Sequence, residues 1–239
     1  MKFQLSIVPL LAFALLCECT TATAALVSNG DFELGAFAHP GDGNFNDFGS
    51  GATGTVILPG ENILAGWSIF LSPSDPTNAL DFVDPARGME WVNSNNGFAF
   101  SGSRFVDLNR GEIGRGRDFF GITTTITTQP NSIYELTFAA SFGGLLRVMA
   151  TGSNLLLSSA DAIPDDAIWR VYSHRFTANS TSTALTLQLE AAGADFGSGS
   201  FIDGVSVATI PEPVSLHLLF FLGAFCLHTR SFRANERNG

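Results

Sequence analysis

Alternation with a period of two constrains the fold of this chain more than any other feature. Residues 133–142 read IYELTFAASF and put Tyr134, Leu136, Phe138 and Ala140 on one face; residues 184–190, ALTLQLE, do the same for Leu185, Leu187 and Leu189. A segment whose apolar side chains recur every second residue covers a core from one side, as a half-buried strand does. Further runs of this kind stand at 56–58, 67–71, 80–83, 98–100, 104–108, 122–127, 145–150, 168–176 and 201–208, separated by Gly, Asn, Ser and Pro clusters. No stretch between residues 25 and 210 carries an amphipathic helical period. The pattern predicts an all-β fold of about ten strands, an antiparallel β-sandwich of jelly-roll type. Two stretches read as loops, 35–54 and 158–167, the second gathering Asp161, Pro164, Asp165 and Asp166.

The two ends of the chain read differently from its middle. Lys2 supplies a positive start, residues 5–16 an apolar run, and Ala22-Thr23-Ala24 a small-residue cleavage site, the pattern of a secretory signal peptide over residues 1–24. Cys17 and Cys19 fall inside it and Cys226 near the other end, so the domain expected over 25–209 has no cysteine and owes nothing to disulfides. At the far end Pro211-Glu212-Pro213 breaks any regular element, residues 214–227 are almost wholly apolar, and Arg230 and Arg233 close the run. Its length fits a core helix or strand as well as a short membrane span. Its place before a polar tail, the missing polar face and the basic flank favour a membrane helix at about 214–228. Between residues 25 and 210 there are eight arginines and no lysine against 19 acidic residues, a net of 11 negative charges that speaks against nucleic acid as a partner.

The order Pro-Glu-Pro, short apolar helix, arginines resembles the PEP-CTERM sorting signal of envelope proteins in exopolysaccharide-making Gram-negative bacteria. The resemblance covers about the last 30 residues of the chain. It implies recognition by an exosortase-type processing enzyme near Pro211, Glu212 and Pro213, with Arg230 and Arg233 on the cytoplasmic side. The expected location is the membrane, the cell surface or the extracellular matrix.

Inside the domain, period two in 201–208 places Asp203 with Phe201, Val205 and Val207, facing inward. A buried carboxylate costs several kcal/mol unless paired or bound to a cation. Glu33, beside Phe32 in an expected first strand, can bring a second carboxylate that a cation would reconcile with the first. Oxygen-only ligands suit Ca²⁺. The alternatives are that Asp203 caps a turn with Gly204 or faces an arginine. The sequence also resembles carbohydrate-binding-module jelly rolls and related choice-of-anchor domains. The matching segments are Asn29-Gly30-Asp31-Phe32-Glu33, Gly66-Trp67, Phe105-Val106-Asp107-Leu108-Asn109, Tyr134-Glu135-Leu136-Thr137-Phe138 and Ile202-Asp203-Gly204-Val205. That resemblance implies a galactose-binding-like sandwich and a structural Ca²⁺ held by Glu33, Gly30 and Asp203.

A bound sugar would stack on aromatic rings flanked by amides. Trp91 with Asn93, Asn95 and Asn96, in a stretch that reads as a loop, has that composition, and Phe119, Phe120, Phe45 and Phe48 are weaker candidates; Trp67 and Trp169 sit in strand patterns and read as core. For Trp91 a core position is as well supported as a ligand role. No nucleophile elbow or H-E-x-x-H is present, and the domain's two histidines, His39 and His174, have no metal-ligand spacing. The expected function is a non-catalytic, envelope-anchored module for extracellular polysaccharide. A structural matrix protein without ligand and, further off, a glycan hydrolase or lyase with spatially paired carboxylates are the alternatives.

Overall fold

The computed structural model describes residues 26–36, 53–73, 88–94, 98–112, 116–191 and 200–211. Within them lie twelve strands: β1 Thr53–Ile57, β2 Ser68–Leu71, β3 Met89–Asn93, β4 Arg104–Asp107, β5 Asn109–Glu112, β6 Gly116–Thr127, β7 Ile133–Ser141, β8 Gly144–Thr151, β9 Leu155–Ile163, β10 Arg170–Thr177, β11 Ser182–Ala191 and β12 Phe201–Ile210. They form two antiparallel sheets, β1-β3-β4-β12-β7-β10 and β2-β6-β11-β8-β9, with β5 pairing to β6. The described residues are thus all-β, with the last strand set between β4 and β7 in the middle of the first sheet. The expected signal peptide, the 80–83 strand and the membrane helix lie outside the described residues.

The alternation predicted from sequence is what fills the core. Tyr134, Leu136 and Phe138 of β7 and Leu185, Leu187 and Leu189 of β11 are buried together with Trp91, Ile122, Val148 and Val207 in one cluster. Each large aliphatic or aromatic side chain so buried stabilises the fold by roughly 1.5–3 kcal/mol, which a domain without disulfides needs. A second, smaller cluster of Val92, Phe105 and Phe201 lies apart from it, joined by Phe98, Phe142 and Trp169. Val92, Phe105 and Phe201 alternate with the core residues Trp91, Val106 and Ile202, so this cluster covers the outer face of the first sheet.

Four elements differ from the sequence reading. Residues 158–167 are not a loop, because β9 runs through most of them. Its register sets Leu157, Ser159, Asp161 and Ile163 against the inward residues of β8, and the polar pair hides the alternation. Asp161 instead meets the other sheet: its Oδ2 lies 2.7 Å from Nε2 of His174 on β10, joining the two edge strands and giving His174 a partner. The stretch around Trp91, read as a loop, is β3. Residues 98–100, read as a strand, belong to an irregular strap. The stretch with Phe32 and Glu33 is a turn rather than a first strand, with Asn29 and Phe32 both at φ 55 and one bridge, Gly35 to Leu64.

Candidate functional site

The N-terminal turn is knotted by its own side chains. Asn29 Nδ2 donates to the carbonyls of Leu34 (2.8 Å) and Ala65 (2.9 Å), while its Oδ1 accepts from Leu34 N at 2.7 Å. The indole N–H of Trp67 donates to Asn29 O, and that of Trp91 to Phe32 O, each at 2.9 Å. Both indoles therefore bury an apolar body while satisfying their one polar atom, the arrangement that makes a tryptophan a core residue. Trp67 is core as expected. Trp91, at 0% exposure with the Arg104 guanidinium 5.0 Å from its ring centre, has no open ring face, which overturns its expected role in sugar stacking. Phe119 and Phe120 are likewise buried, so neither can take a sugar. Asn93 is half-buried at the end of β3, and Asn95 lies outside the described residues.

Asp203 is fully buried, but not with Val205 and Val207. The register of β12 on β7 shifts between Asp203 and Ser206, and Gly204 takes φ 60 at the bulge. One extra residue returns Val205 to the core and leaves Asp203 with Phe201 on the outer face. There the strap of residues 98–104 covers it. Asp203 Oδ2 accepts from Ser101 N at 2.8 Å and Oδ1 from Gly204 N at 2.6 Å, so the turn-capping alternative describes what its carboxylate does. Glu33 holds the strap's other end, accepting from Ser103 N and Arg104 N, while Arg104 Nη1 donates back to Glu33 O at 2.6 Å. Burial pushes the Asp203 acid up to about 7 and the Glu33 charge adds to the rise, against the pull of the Ser101, Gly204 and Phe100 amides. Gly30, the third expected ligand, accepts from Val205 N at 2.8 Å. The two carboxylates thus come to one region, as the sequence reading requires. Among the described residues no cluster of three or more metal-type side chains forms, so a cation here would need backbone carbonyls. The donor set is all oxygen, the ligand type a hard cation takes.

A different surface has the features of a ligand platform. On the outer face of the second sheet, Phe70, Gly121, Gln188 and Arg147 stand in one row across four strands, and Ser68, Thr123, Thr186, Met149 and Ser158 in the next. The Phe70 ring lies over Gly121, in the space a Cβ there would fill. Arg147 is clamped by Glu190, with Nη2 donating to Glu190 Oε2 at 3.0 Å and Nη1 to Ser158 Oγ at 3.0 Å. A half-buried ring, a planar charged pair and ordered hydroxyls share one face of the sheet, a composition able to stack a sugar and hold its hydroxyls. The sequence signal for it is slight: in WSIFL the core takes Ile69, leaving Phe70 as a ring on the wrong side of its strand.

Pro211 is exposed directly after β12, and Glu212, Pro213, Arg230 and Arg233 lie outside the described residues. No protein-family model matches the chain, and no curated protein sequence matches it. Solved structures of similar shape include TmCBM61 in complex with β-1,4-galactotriose, at a TM-score of 0.45 and 13% identity over 79% of this chain and 100% of that one. A CBM4 module follows at 0.42 and 11%, over 77% and 99% of the two chains. The CBM22-1 xylan-binding domain of Paenibacillus barcinonensis Xyn10C gives 0.39 and 13%, over 62% and 88%.

Proposed function

We propose that the protein is a non-catalytic module that binds extracellular polysaccharide on the outer face of its second sheet. The observation that carries this reading is the Phe70 ring seated on Gly121 in line with the Arg147–Glu190 pair and the Thr123 and Thr186 hydroxyls. A pyranose has one apolar face and a rim of hydroxyls, and this surface offers a partner to each. One stacked ring and a few hydrogen bonds leave only a few kcal/mol after the cost of ordering, so affinity falls in the millimolar to micromolar range. Electrophoresis through gels containing β-1,4-galactan or xylan tests the reading: the wild-type protein is retarded and Phe70→Ala markedly less, with its circular dichroism unchanged. Wild type running unretarded in both gels, or Phe70→Ala running with it, sinks the idea.

Two further parts of the reading rest on sequence. The signal peptide and the Pro-Glu-Pro tail support export and anchoring in the envelope, with an exosortase-type enzyme as partner. Glu33, Asp203 and the Gly30 carbonyl would hold a structural Ca²⁺, whose charge would offset the repulsion between the two carboxylates and fix the strap against the N-terminal turn.

A further inference from the structure

We infer that the outer face of the first sheet carries a second carbohydrate subsite, built on Phe100 and Trp169, so that one domain holds two polysaccharide chains at once. This rests on the polysaccharide reading above. Trp169 stands immediately before β10, half-buried, and is fixed from behind. Its indole N–H donates to Phe98 O at 2.7 Å, and its ring lies 5.9 Å from those of Phe98 and Phe105 and 6.2 Å from that of Phe100. Phe100 is 46% exposed, and Val171, two residues beyond Trp169 on β10, 61%. A ring already held in place loses little freedom when a ligand stacks on it, which is where weak sugar sites lose most of their affinity.

What lies next to the rings points to a sugar. Val171 pairs with Ala139, which pairs with Asp203 under the strap. One pleat along, about 7 Å, the row across the same three strands is Ser173, Thr137 and Ser206. One pleat beyond comes Arg175, Glu135 and Ala208, where Ser173 Oγ donates to Glu135 Oε1 at 3.0 Å and Arg175 Nε to the same oxygen at 3.2 Å. The apolar part is therefore small and gives way at once to hydroxyls and then to an ion pair. A stable protein partner needs an interface of roughly 1,000 Å² or more with an apolar centre. A pyranose needs one ring face with hydrogen-bonding groups at its edge. The two platforms lie on opposite outer faces of the sandwich, so they take different chains, and the domain cross-links polysaccharide with the gain that bivalency brings.

The test compares the intact purified protein with Phe70→Ala, Phe100→Ala and Val171→Gln, the last being an exposed strand residue whose change leaves the strap untouched. Of the chain's three tryptophans Trp67 and Trp91 are buried, so a sugar on this face reports through Trp169. Titration with xylohexaose or β-1,4-galactotriose should shift the tryptophan emission of the wild type and of Phe70→Ala alike, and fail to shift it in Phe100→Ala and Val171→Gln. In galactan or xylan gels each single-face variant should bind about tenfold or more weaker than wild type, and only wild type should turn polysaccharide solutions turbid. If Phe70→Ala abolishes all retardation and emission change while Phe100→Ala and Val171→Gln behave as wild type, the second subsite does not exist and the first stands. If Phe100→Ala and Val171→Gln instead abolish self-association of the protein with sugar binding unchanged, the face is a protein contact and the proposal is overturned. If no protein is retarded by either glycan, the polysaccharide reading falls and takes this one with it.

Discussion

At Asp203 a carboxylic acid is buried under the strap, and its acidity is set by that burial first and by the nearby Glu33 charge in addition. The folded acid titrates at about 7 where the unfolded one titrates near the ordinary aspartate value of 3.8. Between those values the native state keeps a proton that the unfolded state has lost. This group's contribution to stability in the metal-free protein is therefore full in acid and is lost as pH rises toward 7, on the order of 4 kcal/mol in all. Urea unfolding at a series of pH values in EDTA checks this, and Asp203→Asn should flatten the slope. On the calcium proposal, added Ca²⁺ should reverse the trend, since it would bind the ionised form and stabilise by about 2.7 kcal/mol at a hundredfold excess over Kd. A pH profile that is the same with EDTA and with added calcium would leave Asp203 as a turn cap and nothing more. That Asp203 is buried was legible from its place among apolar neighbours. Which face Asp203 takes was not, because a bulge adds one residue without changing the apolar pattern. Trp91 shows the same limit: a tryptophan flanked by asparagines has the composition of a sugar site, and only its hydrogen bond to Phe32 O and its burial assign it to the core.

The strap of residues 98–104 is the element on which the most depends. It contributes the Phe98 ring to the outer cluster, covers Asp203, and is pinned at one end by Glu33. Gly204 makes its fit possible, being at φ 60 with Phe100 Cδ1 2.9 Å from where a Cβ would stand. Gly204→Ala combines an unfavourable backbone conformation with displacement of Phe100, and should cost about 1–2 kcal/mol of stability. Because Phe100 and Trp169 touch, the same change should raise quenching of Trp169 by acrylamide. A variant with unchanged quenching and melting temperature would show that the strap does not depend on the bulge. From sequence the strap resembled a strand, since Phe98 and Phe100 alternate, yet a run whose backbone is bonded by carboxylates rather than by a neighbouring strand is not one. β9 resembled a loop for the opposite reason: strand pairing with β8 fixes it, and its inward Ser159 and Asp161 at the sheet edge give no hydrophobic signal.

For the molecule as a whole, the tail starts at the surface, where Ile210 ends β12 and Pro211 is exposed. Deleting the chain from Pro211 onward leaves every described pairing of β12 in place. On the anchoring proposal the shortened protein, expressed in an envelope-forming bacterium, should leave the membrane fraction with its melting temperature unchanged. Its staying with the membrane would mean that another part of the protein is the anchor. The sequence by itself determined the all-β class, most strand positions and the faces of β7 and β11, because period-two burial is a local property that each segment carries alone. It also marked Trp67 as core, with Asn29, the partner of its indole N–H, within about forty residues. Only the tertiary structure decided which rings are open. Trp91, Phe119 and Phe120 are closed off by other strands, whereas Phe100 is left exposed and Phe70 and Trp169 half-buried, because exposure depends on what packs above a residue and the sheet order brings that cover from far along the chain.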